Sequence, residues 1–265
     1  MCARVSGAPG TARVLPSSAM PPPPSRPFDA RLVSHRPLSP SVREIVFERA
    51  DGAAFDFLPG QWVNLVLPLE SGDIKRAYSI ASAPSGGSRF ELAVTRVDGG
   101  QGSAFLHGLD AGAELRAIGP QGLFTRPGSD EAPALFICTG TGLTPFRSMI
   151  QAARATDARA PLWVLFGARR EEDILYRDEL DALARAHPGF RYEVTLSQGE
   201  PPWRGRRGYV QAHVPELWAA LKEESRGAEP HAYICGLERM VGSVKQLLRE
   251  DLQAHRKQVH VERYD

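Results

Sequence analysis

Between Phe28 and Gly122, apolar and polar positions alternate with a period of two in short runs separated by turn residues. That period puts every second side chain on one face of an extended chain. It predicts strands at Ala30 to His35, Val42 to Glu48, Trp62 to Leu67, Ala77 to Ala81, Phe90 to Val97 and Glu114 to Ile118. Ser103 to Leu109 reads as a helix among them. Pro59-Gly60, Ser71-Gly72, Gly86-Gly87 and Gly99-Gly100 punctuate the runs. Strands this short and regularly spaced predict a small antiparallel β-barrel of six strands.

Beyond Pro127 the pattern changes. Ala134 to Cys138, Leu162 to Phe166, Tyr192 to Leu196, His231 to Ile234 and Val259 to Val261 are unbroken apolar runs, as expected of strands buried on both faces. Helical patterns separate them at Pro145 to Ala155, Ile174 to Ala186, Val214 to Glu224 and Arg239 to His255. Strict alternation of this kind predicts a doubly wound α/β parallel sheet, with ligands held beyond the carboxyl ends of its strands. The chain is therefore expected to form two domains, a barrel over residues 28–128 and an α/β unit over 129–265. Residues 1–27 hold seven prolines, three arginines and no acid, and are expected to be a disordered tail, with Met20 as an alternative start.

Composition narrows the function. Thirty-two basic against 31 acidic side chains leave a net charge of +1, which excludes a strongly basic nucleic-acid binder. No apolar run is long enough to span a bilayer. The three cysteines, Cys2, Cys138 and Cys235, are odd in number and far apart, so neither a disulfide framework nor a zinc or iron–sulfur ligand set is expected. No metal is expected, and a reducing, cytoplasmic compartment fits.

Candidate chemistry lies in two places. Gly140-Thr141-Gly142-Leu143-Thr144-Pro145 follows the first strand of the second domain. Its glycines let backbone N–H groups approach a pyrophosphate, and a helix starting at Pro145 turns its positive end to the same spot. The spacing is not that of the six-residue Rossmann fingerprint. In the barrel, Arg76-Ala77-Tyr78-Ser79 offers a guanidinium for phosphate, a ring that can stack and a hydroxyl for a ring nitrogen.

The order of motifs carries more than any one of them. Pro59-Gly60-Gln61, the RAYS segment, Gly100-Gln101-Gly102-Ser103, Gly119-Pro120-Gln121-Gly122, the GTGLTPFR run from Gly140 to Arg147, Cys235-Gly236-Leu237 with Met240, and the terminal Glu262-Arg263-Tyr264 follow one another as they do in the ferredoxin–NADP reductase family of flavoproteins, which the chain resembles from Phe28 to Asp265. The resemblance implies FAD in the barrel and NADP(H), or NAD(H), in the α/β domain. It implies Arg76 on the FAD pyrophosphate, Tyr78 stacked on the isoalloxazine, and Ser79 near flavin N5. Ala77, Val94 and Gly100 to Ser103 would complete the FAD site. Gly140 to Pro145, Gly236 and Met240 would face the nicotinamide dinucleotide, with Cys235 beside its ring. In plant-type members a C-terminal Tyr, with a Glu two positions before it, covers the flavin. Glu262 and Tyr264 match that spacing, although Asp265 follows. Ser79, Cys235, Glu262 and Tyr264 are thus the expected catalytic set.

NADP-using members offer Ser-Arg and then a basic residue and a Tyr to the 2′-phosphate. Here Ser197-Gln198 and Arg206-Arg207-Gly208-Tyr209 stand in those places, so NADP and NAD both stay open, with Arg204, Arg206 and Arg207 able to compensate. Lacking cluster cysteines, the chain is expected to serve a separate carrier, a ferredoxin or flavodoxin, through arginines such as Arg36, Arg43, Arg89 and Arg96. An NADH-using oxygenase reductase component, a cytochrome b5 reductase-like enzyme and a non-catalytic flavin sensor are the alternatives.

Overall fold

The computed structural model describes residues 25–156 and 158–264. Its first six strands are β1 (Arg26–Pro37), β2 (Val42–Arg49), β3 (Trp62–Leu69), β4 (Gly72–Ser79), β5 (Arg89–Thr95) and β6 (Glu114–Gln121), with helix α1 (Gln101–His107) between the last two. They form one antiparallel sheet in the order β4-β3-β6-β1-β2-β5. A bridge from Ile80 to Leu92 brings the end of β4 back to β5, so the sheet curls toward a barrel. Alternation does the work expected of it: Ala30, Leu32, Ile45, Phe47, Val63, Leu65, Leu67, Phe90, Leu92 and Val94 all point inward and are buried. Phe28, Phe47, Phe55 and Phe90 meet with ring centroids 4.8–6.1 Å apart, mostly tilted or edge-on as ring quadrupoles prefer.

The second sheet is parallel throughout, in the order β10-β9-β8-β7-β11-β12, from β7 (Ala134–Thr139), β8 (Leu162–Ala168), β9 (Phe190–Leu196), β10 (Arg206–Arg207), β11 (His231–Leu237) and β12 (Val259–Tyr264). The helices are α2 (Leu143–Arg154), α3 (Arg177–Ala186), α4 (Val214–Glu224) and α5 (Glu238–Gln246). Within each strand, neighbouring residues serve opposite faces. Phe136, Cys138, Val164, Phe166, Tyr233 and Cys235 pack beneath α2 and α3, whereas Leu135, Ile137, Trp163, Leu165, Ala232 and Ile234 pack beneath α4 and α5. The sheet is thus wound on both sides, and β7 is its switch point, with β8 on one flank and β11 on the other. Among the described residues no helix is long and apolar enough to cross a membrane.

Several boundaries differ from expectation for local reasons. β1 starts at Arg26, so Arg26 and Pro27 of the expected tail pair with Gly119 and Ile118 of β6, Ser25 Oγ donates to the Pro120 carbonyl at 2.9 Å, and the expectation for residues 1–24 lies outside the described residues. β4 lies earlier than Ala77 to Ala81, because Leu69 and Gly72 are cross-strand partners and pin the hairpin. α3 begins at Arg177, since Tyr176 takes a left-handed φ of 51° that no helix continues through. The long helix expected from Arg239 to His255 loosens into a π turn over Leu247–Asp251.

Candidate active site

At the barrel end of the cleft, β4 delivers the RAYS segment. Arg76 and Ala77 are exposed, Tyr78 is half-buried and Ser79 is buried. Burial pushes the Tyr78 phenol up to about 12, and the ring packs partly against the barrel core. Gly102, at the start of α1, packs on this strand: a Cβ there would lie 3.1 Å from Leu67 Cδ1 and 3.5 Å from Arg76 Cγ. The Gly100 to Ser103 turn and Arg76 therefore share one corner. Beside it is a concavity of about 300 Å³ lined by Arg96, Val97, Gly99, Gly100 and Gln101. An exposed guanidinium next to a glycine turn suits a phosphate-bearing ligand, and the half-buried ring two residues on suits a flat one.

Two barrel residues expected at the ligand face elsewhere. The Val94 side chain lies inside the barrel core, and its carbonyl takes a 2.8 Å hydrogen bond from His107 Nε2. The Ser103 hydroxyl accepts from the Val97 amide at 3.0 Å and donates to the Gly100 carbonyl at 3.0 Å. Ser103 therefore shapes the turn and has little left for a phosphate.

On the α/β side, Gly140–Gly142 form a single 3-10 turn between β7 and α2. Gly140, at a φ of 53°, faces open space. Leu143, Thr144 and Pro145 point inward, and the Thr144 hydroxyl is closed onto the Thr141 carbonyl. Of the expected dinucleotide loop, the accessible part is thus Gly140 and Thr141; Thr141 Oγ1 lies 3.4 Å from Thr95 Oγ1 of the barrel. A Cβ on Gly142 would collide with the Cys235 carbonyl, and one on Gly236 would lie 2.7 Å from Thr139 Oγ1 and 2.9 Å from Met240 Cε. Gly142, Cys235, Gly236 and Met240 consequently meet at the carboxyl ends of β7 and β11, beside the switch point.

The two sides meet at Ser79. Its hydroxyl donates to Glu262 Oε2 at 3.2 Å and accepts from the Tyr264 hydroxyl at 2.5 Å. Cys235 lies opposite Glu262 in the β11–β12 register, with its Sγ 4.0 Å from the same Oε2. The four residues expected to be catalytic, drawn from β4, β11 and β12, thus form one cluster. Burial raises the Glu262 carboxyl to about 7, only partly offset by the Ser79 hydrogen bond. Burial, with the Glu262 carboxylate next to it, pushes the Cys235 thiol well up, so Cys235 is a neutral thiol and no nucleophile.

The expected 2′-phosphate residues fare differently. Ser197 and Tyr209 are exposed. Arg206 is occupied within its own domain, forked onto Glu216 at 2.7 and 2.9 Å and bonded to Glu193 at 3.1 Å. Arg207 folds back onto the Gly199 and Trp203 carbonyls. Arg169 and Arg204, exposed and without an ion pair among the described residues, are better placed to meet a phosphate; Gln198 N–H donates to the Arg169 carbonyl at 2.9 Å. Of the four arginines expected to face a carrier, Arg36 pairs with Glu44, Arg89 pairs with Glu48 and Arg43 bonds the His107 carbonyl, which leaves Arg96.

One element went unread in the sequence. Arg147, the last residue of the GTGLTPFR run, is buried and bonded to Glu91, Glu179 and the Ala81 carbonyl. Glu91 and Glu179 lie far apart in the chain, and no local spacing connects them.

Comparison with known proteins agrees with this geometry. Residues 29–125 match the family model of an oxidoreductase FAD-binding domain, and residues 136–246 that of an oxidoreductase NAD-binding domain. Ferredoxin--NADP reductase B of Sorangium cellulosum is 64% identical over 241 residues, 91% of this chain and 99% of that protein. The glycine betaine monooxygenase reductase subunit of Pseudomonas aeruginosa is 33% identical over 78% of this chain, which spans only 56% of that relative. Among solved structures, the cytochrome P450 reductase GcoB of Amycolatopsis superposes with a TM-score of 0.76 at 29% identity, over 91% of this chain and 70% of that one. With both domain families matched in order and a full-length relative at this identity, the chain belongs to the ferredoxin–NADP reductase family of FAD-dependent NAD(P)H oxidoreductases.

Proposed function

We propose that this chain takes reducing equivalents from NADPH through FAD and delivers them singly to a separate protein carrier, a ferredoxin or flavodoxin. The observation that carries the reading is the cluster in which Ser79 of the barrel hydrogen-bonds both Glu262 and Tyr264 of the α/β unit, beside Cys235. When bound, FAD supplies the hydride-accepting and one-electron-releasing chemistry, and the protein supplies binding and alignment. Arg76 and the Gly100 to Gly102 backbone would hold its phosphates, and Tyr78 would lie along its ring system. Gly140, Thr141 and Gly236 would receive the dinucleotide. The Ser79 hydroxyl would lie beside a ring nitrogen, its oxygen accepting from Tyr264 and its single proton turned either to Glu262, as in the structure, or to that nitrogen. A neutral, buried Cys235 would pack against the nicotinamide and exclude water. Tyr264 would cover the ring until the nicotinamide displaces it.

The division into a flavin unit and a nicotinamide unit is proposed near residue 128, and a cytoplasmic setting suits the free cysteines Cys138 and Cys235. The Sorangium relative's name supports NADPH as the reductant. A second reading, an NADH-using oxygenase reductase component, is favoured by the occupied guanidinium of Arg206. Anaerobic titration of the purified yellow protein with each nucleotide tests both. Bleaching by NADPH at lower concentration than NADH supports the first, the reverse supports the second, and no bleaching by either refutes both. Turnover with ferredoxin that is insensitive to ionic strength would argue against an acidic carrier.

A further inference from the structure

Arg147 is a buried charge at the seam between the two domains, and nothing in the reaction described above uses it. It stands on α2, the helix that the Gly140–Gly142 turn leads into. Its Nε lies 3.0 and 2.9 Å from the two carboxylate oxygens of Glu179 on α3. Its Nη1 reaches into the barrel, donating to the Ala81 carbonyl at 3.1 Å and to Glu91 Oε2 at 2.5 Å. Its guanidinium carbon lies 4.3 Å from the centroid of the Tyr176 ring. A buried guanidinium is tolerated only when its donors are well paired, and here two carboxylates, a carbonyl and an aromatic face do so.

The partners in the barrel matter more than their number. Ala81 is two residues beyond Ser79, and its own amide bonds the Glu91 carbonyl at 2.7 Å. The next two residues are also held by α2: Ser148 Oγ donates to the Ser82 carbonyl at 2.6 Å, and Gln151 Oε1 accepts from the Ala83 amide at 3.0 Å. Three consecutive residues downstream of Ser79 are therefore gripped by successive turns of the helix that begins at the dinucleotide loop. An apolar seam would join the domains as firmly but could slide. A planar fork bonded to two domains at once fixes direction as well as distance.

We propose that Arg147 is a positioning residue, whose fork fixes α2 against residues 81–83 and thereby sets the spacing between Ser79 and the nicotinamide side of the cleft at Gly140–Gly142 and Cys235. The proposal rests on the reading of that cleft as a flavin–nicotinamide site. It requires that loosening the fork disturb the alignment of the two rings while leaving each ring's own binding site intact.

The test compares the FAD-loaded full chain with Arg147→Lys, which keeps the charge and loses the fork, and with Glu91→Gln, which removes the barrel's charged partner from a partly exposed position. Arg147→Lys is expected to retain FAD and to bind NADPH within about threefold of the parent. Flavin reduction by stopped flow should slow by about tenfold or more, since small misplacements of reacting groups cost large factors in rate. The long-wavelength absorption of stacked flavin and nicotinamide should weaken, and hydrogen exchange at the Ala83 amide should quicken. Glu91→Gln should shift all three readouts in the same direction by a smaller factor, and it decides the matter if the lysine variant does not fold. Parental rate, stacking absorption and exchange in the variants would overturn the positioning role alone. A parent protein that neither NADPH nor NADH bleaches would overturn the flavin–nicotinamide reading, and the proposal with it.

Discussion

The Tyr264 hydroxyl donates a 2.5 Å hydrogen bond to Ser79 Oγ, joining the last described residue of the chain to the end of a barrel strand 185 positions earlier. The contact is possible because β12 lies at the edge of the parallel sheet next to β11, and the open ends of these strands face the barrel. Ser79 passes its own proton toward Glu262 Oε2 at 3.2 Å, so three side chains form one directed chain of hydrogen bonds.

Replacing Ser79 with Ala breaks that chain in the middle. It leaves the buried Tyr264 hydroxyl and the Glu262 carboxyl short of a partner, each at a cost of about 1–3 kcal/mol. FAD content and NADPH affinity should change little, because neither phosphate corner is touched, whereas flavin reduction should slow by about 10²-fold. Stopped-flow reduction at parental rate would remove Ser79 from the alignment of the rings.

The two loop glycines should respond to alanine for different reasons. At Gly140 the φ of 53° is disfavoured for a side chain but the space is open, so the cost is about 1 kcal/mol of backbone strain. At Gly142 the backbone is ordinary, with φ −59°, but a Cβ meets the Cys235 carbonyl and the loop must separate from β11. Gly142→Ala should therefore lower the melting temperature more and weaken NADPH binding more than Gly140→Ala, while both stay yellow. Calorimetry with nucleotide titration of the two variants checks the order.

All the strands but β10, both sheets and the central cluster were legible, the strands from local periodicity and the cluster from motifs whose order resembles that of the family, whereas β10 is two arginines long and shows no period. Ser79, Cys235, Glu262 and Tyr264 fall within short motifs, and parallel register does the rest by setting Cys235 against Glu262. What sequence did not reveal is where a long, charged side chain ends. Arg206 read as a phosphate fork, but Glu193 and Glu216 reach it first, and neither is near enough in the chain to be seen as a competitor. The inward turn of Val94, by contrast, was readable from its period-two position with Phe90 and Leu92, and the resemblance that set it on FAD ran against that pattern.

Arg206→Met follows from that correction. With its guanidinium occupied by two carboxylates, loss of Arg206 should loosen the junction of β9, β10 and α4 and lower the melting temperature, while the ratio of NADPH to NADH affinity stays within about twofold. Arg169→Ala and Arg204→Ala should lower that ratio instead, because their guanidinium groups are exposed and hold no carboxylate among the described residues. A collapse of NADPH preference in Arg206→Met alone would restore it as the phosphate ligand.

Glu262 makes stability depend on pH in a direction opposite to that of most carboxylates. Its folded value of about 7 stands above the ordinary 4.5, so between those values the folded protein holds a proton that the unfolded chain has released. Stability then falls as pH rises through that window. Below about 4.5 both states are protonated and the penalty is absent; above about 7 it is present in full, on the order of a few kcal/mol. Glu262→Gln stays neutral throughout and removes the slope. Melting temperatures from pH 5 to pH 8 should therefore decline more steeply for the parent than for Glu262→Gln, with the two curves closest at the acid end. Parallel curves would mean that Ser79 and its neighbours accommodate the charged carboxylate as easily as the neutral acid.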